Sequence, residues 1–160
     1  MSTDDTLPKR RKALLRHIDN VNKNCQILGE KLIEKGEINL GHRLIANGLI
    51  HDNSKFYGIE WEHLHSDVKE TNTSKFAEAV KNHTVTNTHH PEYWGGVENM
   101  PPVFVAEMVC DWAARSSEFG NDLRDWIKSH ATKKYGMTVQ SKPYKTIKRF
   151  VDLLLDPAFT

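Results

Sequence analysis

Apolar residues recur at spacings of three and four through the first part of the chain, at Leu14, Ile18, Val21, Cys25, Leu28 and Leu32. That rhythm places them on one face of an α-helix and is incompatible with a strand. It predicts a helix over about 7–35, with Pro8 in its first turn and Gly36 ending it. So long a one-sided helix must bury its stripe against other helices. The same spacing returns four more times. Asn39 is expected to cap a helix carrying Leu40, Leu44, Ile45 and Leu49, and a third helix is expected over 59–68. Ser74 is expected to cap one with Phe76, Ala79, Val80 and His83, and Pro102 to open one with Val103, Ala106, Val109, Cys110 and Ala113. Two further helices are expected near 121–129 and 143–155, capped by Asn121 and Ser141, with Leu153, Leu154 and Leu155 packing back onto the rest. Strand signals are nearly absent. The expectation is an all-α, compact single-domain bundle of six or seven helices over residues 7–156, preceded by a loose tail over 1–6.

The size, 160 residues, is enough to bury a core without disulfides or a structural metal. Cys25 and Cys110 both fall in apolar helical patterns and read as buried free thiols. Lys plus Arg number 22 and Asp plus Glu 21, leaving a net charge of +1. Bulk charge therefore gives no support for nucleic-acid binding. The run Lys9, Arg10, Arg11, Lys12 and the group Lys142, Lys145, Lys148, Arg149 read as solvated helix faces. No apolar run reaches the ~20 residues that cross a bilayer. The polar start MSTDDTLPKR does not read as a signal peptide, so a cytoplasmic location is expected.

Histidine is the anomaly: there are nine, and they are unevenly placed. His51 and Asp52 fall at the end of a helix, where the chain turns and adjacent side chains can converge. His83 lies near the end of another, running into a long loop over 84–100 that carries His89 and His90. His17 lies three residues from Leu14 and four from Val21, so it faces inward. Asp111 sits between Cys110 and Trp112 in an apolar helix, where a carboxylate is costly unless paired or metal-bound. Taken singly, each has an ordinary explanation: a hydrogen-bonded core histidine, a surface pair, a salt-bridged aspartate. Taken together, they are imidazoles and carboxylates offered from separate helices, which is how bundles build sites for divalent ions.

The order His17, then His51-Asp52, then Asp111 resembles the metal-dependent HD-domain superfamily of phosphohydrolases. His51-Asp52-Asn53-Ser54-Lys55 is similar to the HD-x-G-K form of that superfamily, with Ser54 in place of glycine. His83 with His89 and His90 resembles the extended histidine pattern of HD-GYP phosphodiesterases and, in part, of the diiron HD oxygenases, although the Gly-Tyr-Pro signature is missing. The segments His51 to Phe56, Asn87 to Trp94 and Glu107 to Trp112 also resemble HD-x-SKF, N-x-HHPEYW and EM-x-x-DW in small phage and bacterial proteins of unassigned function. The resemblance spans roughly residues 14–127.

It implies that His17, His51, Asp52 and Asp111 hold one divalent ion, with Asp52 bridging to a second held by His83 and by His89, His90 or both. Mn, Fe, Zn, Co, Ni and Mg all suit such ligands. Asp52, Lys55 and Glu107 are the expected catalytic residues, Lys55 also contacting a substrate phosphate. Glu107 could equally support a ligand or be a solvated neighbour. Arg115, Tyr93 and Trp94 are the expected substrate-binding residues, and Glu92 could be a ligand or orient a ligating imidazole. Phe56 and Tyr57 flank the expected site, while Trp112 and Trp126 read as core. The expected activity is hydrolysis of a nucleotide or related small phosphoester, with a homo-oligomer left open. The alternatives are a diiron oxygenase on the same scaffold and a metal-stabilised binding protein without turnover.

Overall fold

A computed structural model of the protein describes residues 3–157. Among the described residues every regular element is helical, so the chain is all-α. The stripe of the first helix is the reason for its length. α1 runs Thr3–Glu34, from four residues ahead of the expected start, and Val21, Cys25, Leu28 and Leu32 along it are fully buried.

After a turn at Gly36, α2 (Ile38–Ile50) runs back antiparallel to α1. Glycine lets the two helices touch. A Cβ at Gly29 would lie 2.5 Å from Cγ1 of Ile45, one at Gly41 would strike the carbonyl oxygen of Gly29, and one at Gly48 would lie 2.6 Å from Cβ of Cys25. This register sets the end of α2 beside the His17 level of α1. The residue preceding α2 is Glu37, not Asn39, and it makes no side-chain cap.

The segment expected as one third helix is two short ones, α3 (Gly58–His63) and α4 (Ser66–Thr71), broken at Leu64 and His65. α5 (Thr73–Thr86) follows, capped by the side chain of Asn72, which accepts from the amide of Lys75; Ser74 lies inside the helix. The long loop is ordered by two 3-10 turns, Pro91–Trp94 and Val97–Asn99.

α6 (Pro102–Phe119) is the central helix. Val103, Val105, Ala106, Met108, Val109, Cys110 and Ala114 are buried along it, more than one stripe would supply. It packs against α1, α2 and α9. α7 (Leu123–Trp126) is capped by Asp122, one residue after the expected Asn121. It continues through a π-helical stretch, Ile127–Ala131, into α8 (Thr132–Lys134). α9 (Lys142–Leu155) begins after Ser141, as expected, although the Ser141 hydroxyl donates to the Thr138 carbonyl and caps nothing in α9. Ile147, Phe150 and Val151 complete the core, and Leu153 and Leu154 pack back onto it while Leu155 is exposed.

The buried ammonium of Lys31 donates to the carbonyls of Leu153, Leu154 and Asp156 at 3.0, 3.2 and 2.6 Å. It thus satisfies the end of α9, where the last carbonyls of a helix lack partners. Cys25 and Cys110 are free and buried. No helix among the described residues is long and apolar enough to cross a membrane.

Candidate metal centre

The α1/α2 hairpin ends on a sharp turn, and the turn makes the site. Asp52 has φ 57°, the only positive φ outside glycine among the described residues. Aspartate tolerates this left-handed conformation better than most residues. It turns the chain out of α2 into a 3-10 turn, Asn53–Phe56, and leaves His51, Asp52 and Lys55 in one place.

Three other stretches reach the Asp52 carboxylate there, and α6 brings Asp111 beside them. On one side, Nε2 of His17 lies 3.5 Å from Oδ2 of Asp52 and 2.9 Å from Oδ1 of Asp111, and Nε2 of His51 lies 3.4 Å from Oδ1 of Asp52. On the other, Nε2 of His83 and Nε2 of His89 each lie 3.2 Å from Oδ1 of Asp52. The ring of His90 is 4.8 Å from that of His83 and 4.3 Å from that of His89. Three overlapping groups emerge, His17-His51-Asp111, His83-His89-His90 and His51-His89-Glu107, each with ligand atoms within 4.8 Å of one another, the third sharing one histidine with each of the first two. Asp52 touches members of both histidine sets.

The opposite nitrogens of the rings point outward into glutamates. Nδ1 of His17 lies 3.1 and 3.0 Å from the two oxygens of Glu118. Nδ1 of His51 lies 3.0 Å from Oε1 of Glu107, and Nδ1 of His89 lies 3.5 Å from the same atom. Nδ1 of His83 lies 2.5 Å from Oε1 of Glu60. A glutamate on Nδ1 fixes the tautomer that leaves Nε2 with a free lone pair, the arrangement found behind metal-bound histidine.

The inward atoms fit an ion by a second test. Nε2 of His17, His51, His89 and His90, and Oδ1 of Asp52, are buried without an aligned hydrogen-bond partner, while Oδ2 of Asp52 has its ion pair with Lys55. Each such atom costs about 1–3 kcal/mol if nothing compensates it. Close approach without hydrogen-bond alignment is what lone pairs directed at a common point produce. Divalent ions coordinated by imidazole and carboxylate, at ~2.0–2.2 Å, suit the donor set and its spacing.

Electrostatics agrees with the geometry. Burial alone would raise the Asp52 carboxyl, but Lys55, with Nζ 2.8 Å from Oδ2, and His51 outweigh it and hold the group well below the carboxylate range. Burial likewise opposes ionisation of Asp111, and His17 and His51 reverse the effect. Burial would lower His17, His51 and His83, yet the facing carboxylates raise all three. His90 differs: burial, with the neighbouring His89 and His83, pushes it down to about 2, so its ring stays neutral.

A cavity of about 330 Å³ opens onto this cluster. His83, His90 and Asp111 face it from the cluster, Lys55, Arg115 and Lys134 bring positive charge, and Trp112, Trp126 and Tyr135 are among its aromatic residues.

The sequence-expected ligands His17, His51, Asp52, His83, His89, His90 and Asp111 are thus brought together, with Lys55 and Arg115 at the cavity beside them. Three expectations need correction. Tyr93 and Trp94 do not line the cavity: Trp94 donates from Nε1 to the Thr88 carbonyl at 2.8 Å and packs on Phe104, with Tyr93 against its edge. Glu107 does not face the cavity as a catalytic group would. It lies behind His51 and His89, with Asn47 donating to its other oxygen at 3.0 Å. Trp112 and Trp126 pack on the core but also line the cavity. Phe56, Tyr57 and Glu92 are likewise absent from its lining.

Sequence reasoning missed Glu60, Glu118 and Tyr135. A signal existed for Glu118. Glu107, Asp111 and Glu118 fall on one face of α6 at helical spacing, an acidic stripe on a helix whose first half is otherwise apolar. No local signal marks Glu60, which only the packing of α3 on α5 brings to His83.

No curated protein and no solved structure matches the chain. Residues 8–153 match DUF5662, a family of unknown function, and the chain belongs to that family.

Proposed function

We propose that the protein is an HD-type, metal-dependent phosphohydrolase acting on a nucleotide or related small phosphoester. The observation that carries this reading is the approach of His17, His51, His83 and His89 to the buried carboxylate of Asp52, beside a cavity lined by Lys55, Arg115 and Lys134 together with Asp111. Divalent ions in the two groups would supply Lewis acidity, lowering the pKa of water and offsetting charge on a phosphoryl group.

The chain's own residues do the rest. Lys55 holds a point charge at the mouth of the cluster, with its side chain 14% exposed, where a phosphate oxygen can replace Asp52 as its partner. Arg115 lines the same cavity and offers a planar fork to a second oxygen. Glu118, Glu107 and Glu60 keep His17, His51 and His83 oriented. His90, neutral and facing the cavity, can ligate without first losing a proton.

A second reading, a diiron oxygenase, draws on the three imidazoles beside Asp52, since nitrogen-rich ligation suits iron. One experiment separates the two. The protein is purified without added metal, its metal content is measured, and Mn²⁺, Fe²⁺ and Zn²⁺ forms are assayed on phosphomonoesters, phosphodiesters and phosphonates with and without oxygen. Hydrolysis by the Mn²⁺ form under anaerobic conditions is the expected result. Turnover confined to iron with oxygen would establish the oxygenase instead. Full metal loading without turnover on any compound would leave a metal-stabilised binding protein.

A further inference from the structure

The cavity has a second kind of surface that phosphoryl chemistry does not use. The Trp112 ring lies 6.1 Å from that of Tyr135 at an interplanar angle of 16°, and 5.2 Å from that of Trp126, which meets it edge-on. All three are only partly buried and all line the cavity, with Phe119 also on its wall.

The backbone is distorted where this surface is made. Trp126 immediately precedes the π-helical stretch Ile127–Ala131, and Tyr135 follows the short helix that continues it. The two residues are nine positions apart. In an unbroken α-helix with 3.6 residues per turn they would lie on opposite faces. A π-turn takes up an additional residue and rotates everything after it, and here both rings reach one cavity. Such turns are rare and are found mostly at functional sites.

The remaining lining fixes what such a surface can read. Lys55, Arg115 and Lys134 are cationic, whereas Ser116 and Asn121 are the neutral polar side chains available to read a ring's edge. Flat aromatic faces bind any flat ring and discriminate weakly among rings. A volume of about 330 Å³ is at the small end of ligand pockets, enough for one phosphoryl group and one ring system but not for a dinucleotide.

Resting on the phosphohydrolase reading, we infer that Trp112, Trp126 and Tyr135 form a stacking subsite for the leaving group of a phosphomonoester that carries a planar aromatic ring. The subsite selects for the presence of a ring and not for its identity. Trp112 stands on α6 and Trp126 and Tyr135 flank the π-distorted α7–α8 segment, so these specificity residues are distinct from the histidine loop.

The test is binding to the full chain loaded with Mn²⁺, followed by calorimetry. Three ligands are compared: the methylenephosphonate analogues of AMP, CMP and ribose 5-phosphate, in which the scissile ester oxygen is replaced by CH2. The AMP and CMP analogues are expected to bind within about threefold of each other and at least about tenfold more tightly than the ribose analogue. Tyr135→Leu and Trp126→Leu, each first shown to retain the wild-type circular dichroism and metal content, are expected to reduce that preference toward unity. Equal binding of all three analogues to the wild type overturns the inference, as does a preference that survives in the folded variants. If one variant does not fold, the other gives the answer. A clear ring preference without hydrolysis of AMP, CMP or any other phosphoester tested removes the phosphohydrolase reading and leaves the subsite. Hydrolysis of AMP and ribose 5-phosphate with the same kcat/KM removes the subsite and leaves the hydrolase.

Discussion

Oε1 of Glu60 lies 2.5 Å from Nδ1 of His83, and that contact ties the histidine to a buried network. Ser54 donates to the same carboxylate oxygen at 3.0 Å, Asn82 donates to the other at 3.1 Å, and Asn87 donates to Ser54. Burial disfavours the Glu60 carboxylate, but His83 and Ser54 outweigh it and lower its pKa. The network therefore holds a carboxylate where it fixes the ring of His83 with Nε2 turned toward Asp52.

Glu60→Gln keeps the shape and loses the charge. Loss of such a supporting carboxylate costs about 10–100-fold in metal affinity. The expected outcome is selective: the ion beside His83 is lost on dialysis, while the one beside His17 and His51 stays. Elemental analysis of dialysed protein should give about half the wild-type metal content. Retention of the full content, or loss of both ions, would show that Glu60 does not act through His83 alone.

Asp52→Asn tests the bridge. Asparagine accepts the left-handed backbone that Asp52 adopts, so the turn is preserved while the charge shared by the two groups is removed. Metal content should fall below half of wild type, with the far-ultraviolet circular dichroism unchanged. A variant that kept both ions would place Asp52 outside the coordination of either.

Acidity should govern metal binding in one direction. In the metal-free protein the facing carboxylates raise His17, His51 and His83 above their ordinary 6.5. Their protonation stabilises the fold below pH 6.5, and that contribution is lost as pH rises through the folded-state values. Asp52 and Asp111, lowered in the fold, contribute stability above the ordinary carboxylate pKa that is lost only in stronger acid. Ions must displace the imidazole protons, so their binding strengthens as pH rises. The increase in Tm caused by Mn²⁺ should therefore be larger at about pH 8 than at about pH 6. A constant or shrinking increase would contradict the assigned ligands.

The all-α class, the first helix and the seven residues that cluster around Asp52 were legible because each leaves a mark in one dimension: a stripe at 3.6 residues, a histidine beside an aspartate, a carboxylate in an apolar run. What escaped depends on contacts between distant segments. Glu60 reaches His83 across 23 positions and Glu118 reaches His17 across 101. Tyr93 and Trp94 invited a binding role because they adjoin His89 and His90, yet the 3-10 turn at Pro91 leaves them outside the cavity lining, Trp94 against Phe104 and Tyr93 against Trp94. Of the aromatics that do line it, Tyr135 is brought beside Trp126 by a π-turn that no local pattern announces. The third helix was overextended because its apolar spacing continues through Leu64, where the backbone leaves the helical region.

The close crossing of α1 and α2 predicts a penalty for a single methyl group. Gly41→Ala places Cβ against the carbonyl oxygen of Gly29 and the side chain of Ile33, and backbone cannot yield as a side-chain tip can. Overpacking costs about 1–3 kcal/mol, against a helix-propensity gain of about 0.5–1 kcal/mol. Urea unfolding of the metal-free protein should show net destabilisation. Because the hairpin sets His17 against Asp52, metal affinity should fall as well. An unchanged or higher urea midpoint would mean that the two helices separate at little cost.

Lys55 should affect metal and substrate in opposite directions. Its ammonium, 2.8 Å from Oδ2 of Asp52, neutralises the carboxylate that the ions would share, and so competes with them. Lys55→Met retains much of the side chain's apolar length and removes the charge. Mn²⁺ should bind this variant at least as tightly as wild type, since a cation that repels it is gone and Asp52 has no other ammonium or guanidinium partner among the described residues. Hydrolysis of a phosphoester should nonetheless fall, by about tenfold or more, because the phosphate loses a charge-assisted contact. Calorimetry with Mn²⁺ and steady-state kinetics on one preparation measure both effects. If metal and activity are lost together, Lys55 is holding the cluster in shape; if metal binding persists and activity falls, it is handling the substrate.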